Sequence, residues 1–535
     1  MASFRLGKGL LAGVLGVGVI GAILAGWLLI GADGGGEDES IVMGTTDEVG
    51  SLDPAGGYNV GSWMIFNNTF QTLMSYQHGA TEPGPEAAQE CGFEDTESTV
   101  YRCKLRSGLK FSNGNSLTSK DVAHSFNRTL RINSPNGPAY LLASIKKIQT
   151  PDARTVIFRL KAPDATFPAK IASNAAVIVD HREYPADKLR KDHKIFGSGV
   201  YQLDEYEEKK RAVLTSHEAY KGSAEVKNSA MTVEFFTGEP TKLKKALQAG
   251  EVDLAYRGLA VNDIRELETA TLAGEGDGVK VSNGASAEVM HLIFNMNDPV
   301  AGKLSVRRAM AYLVDRNALI RRVYQRTVEP LYSVIPTGIT GHTTPYFNDY
   351  GDRPDPDKAA AALRADGITK KVKTTLWVTP NRFGPATVPA FKEIARQLNE
   401  SGLFDADVKS LPVDEYNKGI QEGKFGFFVR GWLADYPDPD IFVAPFFAKE
   451  NIVNNGYNSG PINNDLLPAT NAEADRARTV GPYKKIQSLV ARDLPVLPLW
   501  QGRQYTVARE NIFGSEWSVD TSTVPRFWEF SRQDG

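Results

Sequence analysis

Cysteine is almost missing from this chain: two residues in 535, Cys91 and Cys103, so at most one disulfide can form. Histidine is nearly as scarce. The seven (His78, His124, His181, His193, His217, His291 and His342) fall into no HExxH or other close ligand pair, so no metal or cofactor is expected and each reads as a surface or packing residue. There is no GxxxxGK[ST] loop, and Gly197-Ser198-Gly199 lacks the spacing of a nucleophile elbow and reads as a turn. Net charge is only −3, with no basic patch interleaved with aromatics, which removes any electrostatic reason to expect nucleic acid. What remains is an ordinary globular composition, 41% hydrophobic and 23% charged, on a chain longer than one core usually organises. Several lobes are expected.

The one long apolar run lies at the start. Between Lys8 and Asp33 stand 24 uncharged residues, GLLAGVLGVGVIGAILAGWLLIGA. As a helix they would rise about 36 Å, enough for a hydrocarbon core of about 30 Å. Arg5 and Lys8 precede the run, and Asp33, Glu37, Asp38 and Glu39 follow it. The positive-inside preference then leaves the N-terminus in the cytoplasm and the rest outside. The run's length favours a retained anchor, while Ile30-Gly31-Ala32 offers a site for signal cleavage. Leu24-Ala25-Gly26-Trp27 has the form of a lipoprotein box with Trp in place of the lipidated Cys, so lipid anchoring is excluded. GADGGGEDES reads as a flexible spacer. Export suits the two cysteines. Tyr101, Cys103 and Leu105 alternate with charged residues in strand fashion, and a turn at GFEDTEST would bring Cys91 and Cys103 together. An oxidising compartment then favours a disulfide over two buried thiols.

Further on, Thr118 with Asp121 forms a capping box for a helix presenting Val122, Phe126 and Leu130. Residues 145–160 read as a hairpin, and TKLKKALQAGEVDLAY as a helix stopped by Gly250 before a strand. A buried strand is expected within 281–299, followed by helical stripes through SVRRAMAYLVDRNALIRRVY and a short helix at DPDKAAAALRADG. KVKTTLWVTP, the helix in PATVPAFKEIARQLNESG and KFGFFVRGW make a parallel strand–helix–strand unit. The second strand runs into GWLADYPDPDIF. Pro437 and Pro439 stiffen that loop, and ligand sites gather at such strand ends. Asp435, Asp438 and Asp440 crowd it. EF-hand spacing is not met, so calcium is disfavoured. A glycosidase-like carboxylate pair has no supporting context, and a structural turn with Asp438 as a cap stays open.

Eight stretches in order carry a family likeness: GSLDPAG (50–56), LRSGLKFSNGNSLTSKDVAHSF (105–126), GSGVYQL (197–203), ALQAGEVDLA (246–255), LIFNMNDP with VRRAMAYLVDR (292–316), GWLADYPDP (431–439), GYNSGPINNDLL (456–467) and LPVLPLW (494–500). With them the chain resembles the family 5 extracellular solute-binding proteins, the peptide/nickel-type receptors of ABC importers. The resemblance implies an α/β, type II periplasmic-binding-protein-like fold. After the anchor and spacer at 1–40, a discontinuous lobe at 41–75, 195–285 and 495–535 would join an extra lobe at 76–194 and a ligand-binding lobe at 286–494. It implies a non-enzymatic, monomeric receptor, tethered at the membrane with its binding part outside, that hands small peptides to permease subunits. Asp435 would pair with the peptide's α-amino group. Gly431 would bond its backbone, and Trp432, Tyr416, Tyr436 and Trp500 would wall the pocket, with Asn59 reaching in from the opposite lobe. The Arg that often precedes GW by two residues in peptide receptors is Val429 here, and strand alternation turns Arg430 to the other face. The same frame could hold an oligosaccharide, an opine-like conjugate or a nickel chelate, or serve sensing rather than transport. A secreted carboxylate-dependent hydrolase is the reading from another class.

Overall fold

The computed structural model describes residues 40–533 apart from 277, 380–383, 385, 450 and 520–523. Of the expected anchor and spacer at 1–40, residues 1–39 lie outside the described residues, within which no helix is long and apolar enough to cross a membrane.

One mixed sheet of eleven strands runs through the fold. Two long strands, Val279–Phe294 and Val496–Arg509, sit side by side and antiparallel in its middle. On one side of this pair lie Leu254–Tyr256, Ile41–Thr45, Ala230–Phe235, Arg211–Ser216 and Tyr201–Glu207. On the other lie Phe427–Trp432, Val372–Val378 and Phe404–Ser410. The eleventh strand, Val328–Pro330, pairs with Val496–Arg509 off this order. Among the described residues the central pair joins the two sides of the sheet, and its register slips between Ala285 and Val289. Such a bulge breaks the ladder and lets strands bend. Gln501 spans the slip, donating to Ser286 O at 2.9 Å and Thr337 O at 3.1 Å while accepting from Thr337 N at 2.8 Å.

The parallel unit forms as its pattern dictates. Val372, Thr374, Leu376 and Val378 alternate inward along one strand. The helix Thr387–Glu400 buries Ala390, Phe391, Ile394 and Leu398, one stripe of a 3.6-residue period. Between that helix and Phe427–Trp432 the chain adds an edge strand, Phe404–Ser410, parallel to Val372–Val378 and absent from the sequence reading. SVRRAMAYLVDRNALIRRVY folds as two helices, Leu304–Leu313 and Arg316–Arg322, because Asp315 caps the second by accepting from Ala318 N at 2.8 Å.

A separate four-stranded antiparallel sheet joins Ala88–Phe93, Val100–Leu105, Thr155–Leu160 and Ile145–Gln149. Its own core includes Tyr101, Phe111, Val122, Phe126 and Phe158. Cys91 and Cys103 are directly opposed in it and disulfide-bonded. The capping box opens the helix Ser119–Ile132 as expected, with Thr118 N donating to Asp121 at 2.8 Å. A buried ion pair pins this part to the first half of the large sheet: Arg128 Nη1 and Nη2 reach the two carboxylate oxygens of Asp53, in the SLDP turn, at 2.7 and 2.5 Å. Backbone amides of Ala55 and Arg190 also donate to Asp53, so the charge is met on all sides.

Candidate functional site

Strand Phe427–Trp432 carries bulky apolar residues packed on both faces, ends at Trp432 and releases the chain into 433–439. That loop then uses its three carboxylates differently. Asp438 is clamped by Arg476, Nε to Oδ2 at 2.7 Å and Nη2 to Oδ1 at 2.9 Å, and accepts from Asp440 N at 2.9 Å. It is a structural brace. Asp440 opens the buried helix Asp440–Phe447, and burial pushes its carboxyl up to about 6, with Asp438 and Asp164 adding to the rise and Lys170 and Arg476 opposing it. Asp435 alone of the three borders a cavity. Among the described residues the three do not gather their oxygens into a group that could hold a metal ion.

Asp435 is half-buried, its carboxylate crowded by protein while solvent reaches the residue through the cleft. Its oxygens are held from across the cleft: Tyr58 OH donates to Oδ1 and Tyr140 OH to Oδ2, both at 2.7 Å. The two hydroxyls lie 2.6 Å apart. Tyr58 comes from the turn before helix Val60–Thr69, and Tyr140 from the short helix Ala139–Leu142 beside the four-stranded sheet. Among the described residues no Lys, Arg or His pairs with Asp435. Burial pushes its carboxyl up to about 6, against the two phenol hydrogen bonds that pull it down. Edge-to-face contacts run from Tyr140 through Tyr58 to Trp63, 5.7 and 5.3 Å between ring centres. A carboxylate short of a cation and flanked by aromatic rings is a place for a positively charged guest.

The cavity beyond is about 130 Å3. Trp63, Tyr76, Trp528, Ala434, Asp435 and Tyr436 are among its walls.

The expected site residues separate accordingly. Asp435 and Tyr436 reach the cavity; the others do not border it. Gly431 is buried in the sheet, opposite Met290. Trp432 turns onto Phe446, 5.7 Å between ring centres. Tyr416 lies in the core, stacked on Phe425, with its hydroxyl donating to Val429 O at 2.7 Å. Trp500 packs between Tyr324 and Phe391. An apolar ring satisfies a core as readily as a pocket wall, and the rings of Tyr416 and Trp500 pack into the core. Asn59 caps the helix Val60–Thr69 by accepting from Ser62 N at 2.9 Å, and its neighbour Tyr58 makes the crossing instead. Tyr58 and Tyr140 stand 377 and 295 residues from Asp435 and carry no local motif, so sequence alone had no signal for them.

Three comparisons place this geometry. A model of the bacterial extracellular solute-binding proteins, family 5 Middle, matches residues 82–454. The dipeptide-binding protein of Escherichia coli is 26% identical, over 85% of this chain and 87% of its own, and the heme-binding protein A of Haemophilus influenzae is 26% identical over 83% and 82%. An ABC transporter-associated periplasmic binding protein from Helicobacter pylori, solved with the peptide STSA, superposes with a TM-score of 0.76 at 22% identity, covering 92% of this chain and 98% of that one. The chain therefore belongs to the bacterial extracellular solute-binding proteins of family 5, a family of binding proteins.

Proposed function

We propose that this chain is the extracytoplasmic receptor of an ABC importer, capturing di- or oligopeptides by their α-ammonium at Asp435 and handing them to permease subunits. The observation that carries this reading is the state of Asp435: cavity-lining, crowded, raised in pKa and without a cation. A neutral sugar gives no reason to place an unpaired carboxylate there, whereas a peptide ammonium meets it directly. Relatives named as dipeptide-binding agree, and a relative named for heme at equal identity means the carboxylate, not the family, argues for peptide. Among the described residues strand Phe427–Trp432 pairs with Val372–Val378 only as far as Phe428, and a ladder that ends short of the strand's end supports the addition of an extended peptide backbone there.

In this reading the halves of the sheet are lobes, 41–75 with 195–285 and 495–535 against 286–494, and 76–194 rides on the first through the Asp53–Arg128 pair. The bulged central strands are the hinge, and the guest favours closure because only the closed form brings Tyr58 and Tyr140 over Asp435. The apolar run at 9–32 tethers the receptor, a monomer without enzymatic activity, to the outer face of the membrane. Calorimetric titration of a dipeptide library tests the proposal. Heat from several dipeptides that Asp435→Ala abolishes is expected; no heat from any, or binding indifferent to the substitution, rejects it.

A further inference from the structure

Resting on the peptide reading, we propose that the cavity beyond Asp435 is a second cation-taking pocket, so that the receptor prefers peptides whose N-terminal residue carries a basic side chain. Two cavity-lining residues carry the argument, Gln71 and Glu86.

Gln71 is 2% exposed. Its Nε2 donates to Glu86 Oε1 at 2.9 Å and to Lys221 O at 3.1 Å. Both partners are acceptors, so the amide can stand only one way round; flipped, its carbonyl would face a carboxylate and a carbonyl. Oε1 is thereby fixed, and among the described residues no donor reaches it. A buried acceptor left unmet is costly, and the residue that carries it borders the cavity.

Glu86, also buried, supplies the charge. Its oxygens accept from Gln71, from Tyr220 OH at 2.8 Å, from Ser223 N at 2.9 Å and from the Ser223 hydroxyl. Four donors fill its lone-pair sites, yet all four are neutral, and no Lys, Arg or His among the described residues forms an ion pair with it. Among the described residues the one basic side chain in the cavity wall is Arg526, which donates to Tyr76 O at 3.2 Å and lies 3.7 Å from Glu529, so its charge is met elsewhere. Among the described residues the cavity lining thus includes two carboxylates that lack a cation, Asp435 and Glu86, and a side chain whose acceptor lacks a donor. An ammonium at Asp435 with a second ammonium or guanidinium deeper in answers all three. Trp63, Phe70 and Trp528 line the way for the methylene stem of such a side chain. An acidic side chain would meet like charge, and an apolar one would leave Gln71 unmet.

The test is calorimetry on the full-length chain with Lys-Ala and norleucyl-Ala, which share a side-chain stem and differ in its charge, beside Ala-Lys and Glu-Ala. Lys-Ala is expected to bind at least tenfold tighter than norleucyl-Ala and than Ala-Lys, with Glu-Ala the weakest. In Gln71→Leu and Glu86→Gln the ratio of norleucyl-Ala to Lys-Ala dissociation constants should fall toward one. Should either variant fail to fold, the wild-type comparison decides alone. Equal affinity for Lys-Ala and norleucyl-Ala means that water serves Gln71, and overturns this proposal while leaving the peptide reading in place. Silence from all four peptides overturns both.

Discussion

Replacing Asp435 by Asn should act in opposite directions on the occupied and the empty receptor. In the empty cleft, burial lifts this carboxyl from 3.8 to about 6. At 1.36 kcal/mol per pKa unit, holding the group ionised there costs at most about 3 kcal/mol. Solvent reaches the residue, which brings the figure down to about 1–2 kcal/mol. Because the closed-state value lies above the ordinary one, this contribution to stability is present below about pH 4 and is lost as pH rises through about 6. Asn abolishes the cost, so the ligand-free Asp435→Asn protein should unfold at a higher temperature than wild type at pH 7. Its melting temperature should also fall less steeply between pH 4 and 6, Asp440 supplying the slope that remains. With peptide present the sign reverses. Removing one partner of a buried charge pair costs about 2–5 kcal/mol, roughly 30- to 5,000-fold in Kd. Calorimetry with Ala-Ala and thermal melts with and without ligand read both effects. A dissociation constant within threefold of wild type would refute the reasoning, and so would a lower melting temperature for the empty variant.

The pH dependence of peptide affinity reports on the empty state. The bound ammonium requires an ionised Asp435, so affinity should fall as acid protonates the free receptor: from about pH 6 if the empty cleft stands closed, and only near pH 4 if it stands open and solvated. Titrations from pH 4 to 8 distinguish the two, and an affinity flat across that range contradicts the charge pairing. Tyr58→Phe or Tyr140→Phe each removes a hydroxyl that donates to this carboxylate, and each should weaken Ala-Ala binding by about tenfold, since a hydrogen bond to a charged group contributes about 1.5 kcal/mol or more. Arg128→Met leaves the buried Asp53 without its cation, which should cost about 3–5 kcal/mol in thermal or urea unfolding, with part of the loss recovered by adding Asp53→Asn. Cys91→Ala with Cys103→Ala opens a loop of sequence separation 12 and should cost at most about 3 kcal/mol by urea melting.

Local pattern made much of this fold legible. The capping box at Thr118 and Asp121, the Gly250 stop, the cysteine hairpin and the strand–helix–strand unit are each fixed by neighbours in the chain, and each stands where its residues indicate. The strand Phe404–Ser410 does alternate, Phe404, Ala406 and Val408 against Asp405, Asp407 and Lys409, but two aspartates in seven residues are poor strand formers and mask it in a reading by composition. At the site, the Pro-stiffened loop pointed to Asp435, but what surrounds that residue was illegible. Tyr58 and Tyr140 become its partners only when the two sides of the cleft come together, a fact of tertiary structure with no local trace. For Tyr416 and Trp500, both buried in the core, the point is the converse: burial, not sequence, decides whether a ring faces a cavity or a core.

The account stands on a positive charge arriving at Asp435, and acetylation of the guest removes that charge with little else changed. Ala-Ala and N-acetyl-Ala-Ala should be titrated side by side into the full-length chain at pH 7. Binding of the free peptide with a loss of at least 30-fold on acetylation is the predicted result; equal affinity for the two would contradict it.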